Sequence, residues 1–130
     1  MDTISISTEK KNEVIDITED VERIVSKSRI SEGICLVYVP HSTAAITINE
    51  DYDKKVCIDL LDAMNKLIPE GIWQHDREDG NGAAHVKSAI IGPSVTIPIK
   101  DSKLILGTWQ GIMLCEFDGP RDRKIVVICK

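Results

Sequence analysis

The stretch Asp53-Lys54-Lys55-Val56-Cys57-Ile58-Asp59-Leu60-Leu61-Asp62-Ala63-Met64-Asn65-Lys66-Leu67-Ile68 places Val56, Leu60, Leu61, Met64, Leu67 and Ile68 on one stripe, opposite Lys54, Lys55, Asp62 and Lys66. That spacing predicts an amphipathic helix lying on a core. Pro69 and Gly71 stop it. Before it, Thr43 to Asn49 alternates as a strand, and Ile34 to Val39 is a short apolar run ended by Pro40, as in a central strand. Further upstream, Thr3 to Ser7 and Val14 to Ile17 flank the charged Glu9 to Asn12 and predict an N-terminal hairpin. A helix from Glu19 to Ser28 follows, capped by Thr18, carrying acids in its first turn and broken before the strand by Gly33.

Downstream, a polar stretch from Gln74 to Gly82 leads to Ala83 to Ile91, read as a short helix capped by Asn81 and ended by Gly92-Pro93, with a strand as the alternative. The remainder reads as strands at Ser94 to Ile99, Leu104 to Leu106, Gly111 to Phe117 and Lys124 to Cys129. Strands that surround two to three helices predict an α+β fold, one domain over residues 1–130 with helices packed on a largely antiparallel or mixed sheet. A length of 130 residues with 42% hydrophobic residues suits a single core.

Charge narrows the function classes. Sixteen Lys and Arg against 21 Asp and Glu leave a net charge of −5, and no basic stretch is interleaved with aromatics, which argues against a nucleic-acid partner. The excess acid lies in residues 50–80. No apolar run is long enough to span a bilayer, and Met1 to Lys11 is polar and mixed in charge, so no membrane partner and a cytoplasmic location are expected. Cys35, Cys57, Cys115 and Cys129 are widely spaced within apolar segments and read as buried free thiols. Gly80-Asn81-Gly82-Ala83-Ala84-His85 misses the third glycine of a dinucleotide fingerprint and follows no buried strand.

The three histidines, His41, His75 and His85, all fall at element boundaries, where side chains from distant segments can meet as metal ligands or proton carriers. The alternative is three ordinary surface histidines. In Gly107 to Arg121, alternation sets Gln110, Ile112, Leu114, Glu116 and Asp118 on one face. Buried among apolar neighbours, Glu116 needs a partner: a metal, a ligand, or Arg121 or Arg123 in a structural ion pair. Arg121, Arg123, Ser42, Thr43 and the start of the third helix are possible anion binders. Trp109 and Gln110 suit a planar heterocycle, with core packing as the alternative for Trp109. Asn49, Glu50 and Asp51 suit Mg²⁺ or a turn.

Taken in order, His41-Ser42-Thr43-Ala44-Ala45-Ile46-Thr47-Ile48-Asn49-Glu50, Asn81 with Ala84-His85, Gly92-Pro93-Ser94, Gly107-Thr108-Trp109-Gln110 and Glu116-Phe117-Asp118-Gly119-Pro120-Arg121 resemble the YjbQ-like family, also called the secondary thiamine-phosphate synthase family. The resemblance runs from about Thr3 to Lys130. It implies a compact α+β domain, a homotrimer and weak transfer of a hydroxymethylpyrimidine group to thiazole phosphate with release of pyrophosphate, normally with Mg²⁺. The site it implies contains His41, His75, His85, Asn49, Glu116, Asp118 and Arg121.

The leading expectation is therefore an enzyme acting on a small phosphorylated or heterocyclic molecule. His75 and His85, with His41, would hold a divalent metal, Zn or Mg. His41, Glu116 and Asp118 would carry catalysis, and Asn49, Trp109, Gln110 and Arg121 would bind substrate. Two alternatives stand beside it: a metal-dependent hydrolase of a phosphoester or amide, and a non-catalytic oligomer that binds an anion or other small molecule.

Overall fold

The computed structural model describes residues 1–130. In chain order the elements are β1 (Asp2–Ser7), β2 (Glu13–Asp16), α1 (Thr18–Ser28), β3 (Glu32–Tyr38), β4 (Ala44–Glu50), α2 (Lys54–Leu67), a 3₁₀ turn (Gln74–Arg77), α3 (Gly82–Ile91), β5 (Ser94–Lys100), β6 (Lys103–Leu104), β7 (Gln110–Glu116) and β8 (Asp122–Cys129). They form one α+β domain with two sheets in which every pairing is antiparallel: β1-β8-β3-β5-β6 and β2-β7-β4. No helix is long and apolar enough to cross a membrane.

Strand β7 explains the layering. Ile112 and Leu114 point into the main core with Ile46 of β4, Ile125 and Val127 of β8, Val37 of β3 and Ile97 of β5. Val21 and Val25 of α1 pack into the same core. The alternate residue Cys115 and the following Phe117 turn the other way, toward Ala45, Ala84 and the α2 residues Leu60 and Leu61. Both faces of the three-stranded sheet are thus covered, one by the larger sheet and one by α2 and α3, so β7 is buried nearly end to end.

The expected N-terminal hairpin does not form: β1 pairs with β8 and β2 with β7, in different sheets. Alternation within a strand encodes which face is buried but not which strand is its neighbour. Residues 8–12 cross between the sheets, with Thr8 N–H donating to the Arg121 carbonyl and Gly119 N–H to the Lys11 carbonyl. Helix α1 ends at Arg29, whose φ is 59°, rather than at Gly33. Gly33 serves another purpose: a Cβ there would collide with the Lys130 carbonyl. Thr18 does not cap α1 but lies inside it, its hydroxyl accepting the Ile112 amide at 2.9 Å. Helix α2 is capped by Asp53, which accepts the Lys55 amide. Its Leu67, counted on the apolar stripe, is 76% exposed.

At one end of the core the sheets are joined by charge. Glu116 on β7 and Arg123 on β8 are 0% and 3% exposed. Arg123 Nε donates to Glu116 Oε1 at 2.9 Å, and its Nη2 donates to Oε2. Thr8 Oγ1 and the Asp118 amide also donate to the carboxylate, at 2.8 and 3.0 Å, and Thr43 Oγ1 accepts a further Arg123 N–H at 2.8 Å. Burial alone would raise the Glu116 pKa, but the Arg123, Asp118 and Thr8 hydrogen bonds outweigh it and hold the carboxyl below its ordinary value.

Removing one member of such a pair leaves a buried charge unmatched, at a cost of about 3–5 kcal/mol. Glu116→Leu is therefore expected to lower Tm by at least about 10 °C, and adding Arg123→Met should recover most of the loss in a thermal melt. Because the folded-state pKa is depressed, the pair's contribution is complete above the ordinary glutamate value of 4.5 and is withdrawn as pH falls through the lowered value. The wild-type Tm should accordingly fall more steeply in acid than that of the double variant.

The cysteines divide into two pairs. Cys35 and Cys115 are buried, while Cys57 and Cys129 are half-buried, which corrects the expectation that all four are interior. Burial pushes both Cys35 and Cys115 up to about 12, with the adjacent Cys129 adding to the effect on Cys35. A soluble thiol reagent at pH 8 should titrate at most two thiols in the native protein and four after denaturation.

A polar cleft as candidate functional site

Three connections meet beside the Glu116–Arg123 pair. Pro40 to Thr43 join β3 to β4, Asp118 to Arg121 join β7 to β8, and Asp79 to Asn81 lead into α3. Together with His85 they enclose an open cleft of about 770 Å³ whose lining is polar apart from Pro40 and Pro120. His41, His85, Asp118 and Arg121 of the expected site all line it.

Each side chain is set by a local reason. Strand β7 stops at Glu116, whose carboxylate turns inward and accepts the Asp118 amide, so Asp118 swings outward. The two acids therefore do not share a face, because the alternation ends with the strand. Asp118 Oδ2 accepts from Asn81 Nδ2 at 2.8 Å and from Arg121 Nη2 at 2.9 Å, while its carbonyl accepts Arg121 Nε. Burial works to raise the Asp118 pKa, but Asn81 and Arg121 prevail and lower it. Arg121 spends two of its five N–H donors on this contact, and its side chain remains 53% exposed.

Asn81 sits at the N-cap of α3 without capping it, since its amide is diverted to Asp118. The first helical amide, that of Gly82, is taken instead by Asp76 at 2.8 Å. Asn81 Oδ1 is buried with no partner. His41 Nε2 accepts the Lys124 amide at 3.1 Å. An accepting Nε2 means a neutral ring protonated at Nδ1. Burial, and then the charge of Arg123, lower the His41 pKa and favour that neutral form.

The remaining expected residues lie elsewhere. His75 is in the 3₁₀ turn, edge-on to His85 with ring centroids 4.7 Å apart, and its Nε2 is 3.6 Å from Asp79 Oδ2. No three His, Cys, Asp or Glu side chains converge where a metal ion could be held, so His41, His75 and His85 do not form a ligand triad within the chain. Glu116 lies behind the cleft and is fully engaged. Asn49, Trp109 and Gln110 are at the opposite end of the β4–β7 ladder, where Glu50 pairs with Gln110 while Ala44 pairs with Glu116. Six residue steps place them roughly 20 Å away.

At that end Trp109 is 55% exposed and tilted against Tyr52 at 5.2 Å, which overturns the core-packing alternative. Gln110 Oε1 accepts the Gly107 amide and Asn49 Oδ1 the Glu50 amide, so both serve local turns. Thr8, buried behind the cleft, and Asp79, on its wall, carried no signal in the sequence. A threonine just past a strand and an aspartate in a polar loop look like hundreds of others until distant segments are brought to them.

Known proteins match this chain over nearly all of its length. The family model described as UPF0047 protein YjbQ-like matches residues 2–129. A UPF0047 protein of Methanocaldococcus jannaschii is 48% identical over 94% of this chain and 88% of its own, and YugU of Bacillus subtilis is 45% identical over 96% and 95%. Among solved structures, an uncharacterised YjbQ/UPF0047 protein of Clostridium acetobutylicum superposes with a TM-score of 0.96 at 44% identity, covering all of both chains. A protein of unknown function from Sulfolobus solfataricus superposes at 0.95 and 42% identity over 98% of this chain and 94% of its own. With its motifs, its fold and its full-length matches in agreement, the chain belongs to the YjbQ-like UPF0047 family.

Proposed function

We propose that the cleft binds a small phosphorylated molecule and that the protein is an enzyme acting on it. The observation that carries this reading is the meeting of Arg121, His41, His85 and Asn81, from segments far apart in sequence, around a mostly polar cleft. Arg121, oriented by Asp118, has N–H donors left for two phosphate oxygens. The start of α3 adds the positive end of a helix dipole on the same side. His41 contributes a fixed Nδ1–H donor, and His85 is the proton carrier.

The chemistry that fits is group transfer or hydrolysis at a phosphorylated centre, with the family's hydroxymethylpyrimidine transfer to thiazole phosphate as the first reaction to try. A divalent metal would need ligands beyond those one chain brings together. Free cysteines fit a cytoplasmic location. The homotrimer that the family resemblance implies would form through the outer face of the five-stranded sheet. There Leu36 and Tyr38 pair with Ile128 and Val126, and Ile34 and Tyr38 are 50% and 40% exposed.

Isothermal titration with inorganic pyrophosphate should show Arg121→Ala binding at least about tenfold more weakly than wild type, the loss of one charge-assisted contact. With hydroxymethylpyrimidine diphosphate and thiazole phosphate supplied together, His85→Ala should stop pyrophosphate release in a protein that melts like wild type. Unchanged turnover in that variant, or pyrophosphate binding without any turnover in wild type, would replace the enzyme with a binding protein. Ile34→Asp should shift the species seen in sedimentation from trimer to monomer, whereas a monomeric wild type would remove the assembly from the reading.

A further inference from the structure

Strands β3 and β8 are neighbours in the five-stranded sheet, and their register sets Cys35 directly opposite Cys129. The next residues along, Ile34 and Lys130, exchange both of their backbone hydrogen bonds, at 2.9 and 3.0 Å. Hydrogen-bonded and non-hydrogen-bonded pairs alternate along an antiparallel ladder, so Cys35 and Cys129 form a non-hydrogen-bonded pair. Such pairs bring their Cα atoms closest, to about 4.5 Å. Both side chains face inward: Cys35 belongs to the main core with the Val37–Val127 pair two residues along, and Cys129 packs against that core. The two thiols are near enough for Cys129 to help raise that of Cys35.

That juxtaposition meets the requirements of a disulfide, which spans Cα separations of about 4.4–6.8 Å and Cβ separations of about 3.5–4.5 Å. Directly opposed residues hold their Cβ atoms about 4.5–5.5 Å apart, non-hydrogen-bonded pairs at the near end of that range. Rotation of the side chains and a shift of about 1 Å or less would close the bond. The other two cysteines are not opposed in this way. Cys57 lies on α2 with its sulfur 3.5 Å from Met113 Sδ, and Cys115 on β7 stands between Val14 and Ala45. Access differs within the pair, since Cys35 is wholly buried and Cys129 is half-buried.

We infer that Cys35 and Cys129 are a site of reversible oxidation, closing to a disulfide when the protein meets a low-molecular-weight disulfide such as glutathione disulfide. Cys129 reacts first, because a reagent in solution reaches only the more exposed thiol. Its thiolate attacks one sulfur of the reagent, forming a mixed disulfide and releasing the first glutathione thiolate. Cys35, its proton given up to water, then attacks the Cys129 sulfur. The mixed S–S bond breaks and the second glutathione thiolate leaves. The two protein thiols thus lose two electrons and two protons, and the reagent is reduced to two thiols. The new bond closes a loop of about 95 residues, which restricts the unfolded chain and stabilises the oxidised protein. This site is independent of what the polar cleft binds.

The test takes the full chain, fully reduced, and holds it folded with excess glutathione disulfide. Mass spectrometry after proteolysis should find the Cys35 and Cys129 peptides joined, and the thiols titrated after denaturation should fall from four to two. Tm should rise by at least about 5 °C, and dithiothreitol should return it to the starting value. Cys129→Ser should gain neither the cross-link nor the rise in Tm. Cys35→Ser should stop at a glutathione adduct on Cys129, and Cys57→Ser should behave as wild type. A wild type that keeps four thiols, that stops at the glutathione adduct, or that joins other cysteines or two chains would overturn the site.

Discussion

One buried ion pair determines how the cleft end of this protein is built. The core between the two sheets is apolar along most of its length and would close equally well with several side-chain sets. At the end where Glu116 meets Arg123, the requirement is stricter, because each buried charge must find its counterpart and every remaining donor and acceptor must be matched. Thr8, Thr43 and the Asp118 amide are fixed by that requirement. Asp118 is thereby aimed outward, Arg121 is held by Asp118, and Asn81 is drawn away from its helix cap. The cleft is the outer surface of a network whose inner surface is structural.

This arrangement separates two roles that carboxylates in one short segment can confuse. Glu116 and Asp118 are two residues apart, and both have lowered pKa values, but for different reasons. Glu116 balances an arginine in the interior. Asp118 sits at the boundary, where it shapes the positions of an amide and a guanidinium that face the cleft. Changing either acid would impair the site, the first through the fold and the second through orientation.

Most of the fold was legible in the chain because the signals for it are local. The stripe in α2, the continuous run in β3 and the Gly92-Pro93 stop after α3 each name their own element. Partnership between strands is not local, which is why Thr3 to Ser7 and Val14 to Ile17 suggest a hairpin yet join different sheets. The site was legible to the extent that it uses residue types rarely placed at element ends for packing, as with His41, His85, Asp118 and Arg121. It is obscured where alternation stops with the strand, before Asp118, and where motifs close in sequence lie at opposite ends of one strand. Trp109, Gln110 and Asn49 share one end of the β4–β7 ladder, and the cleft occupies the other.

The knot around Thr8 also bears on how the molecule comes into being. Its hydroxyl accepts the amide of Arg121, 113 positions further along, and donates to Glu116, 108 positions along. Contacts of such separation must overcome a large loop-closure entropy before they return any stabilisation, and chains rich in them fold slowly. Made on a ribosome, the polypeptide cannot complete this corner until almost all of it has emerged, so β1 waits for β8 with its strand edge unpaired. During that interval the incomplete sheets are open to intermolecular pairing. The end of the protein that carries the cleft is thus also the part whose assembly depends most on the chain being finished.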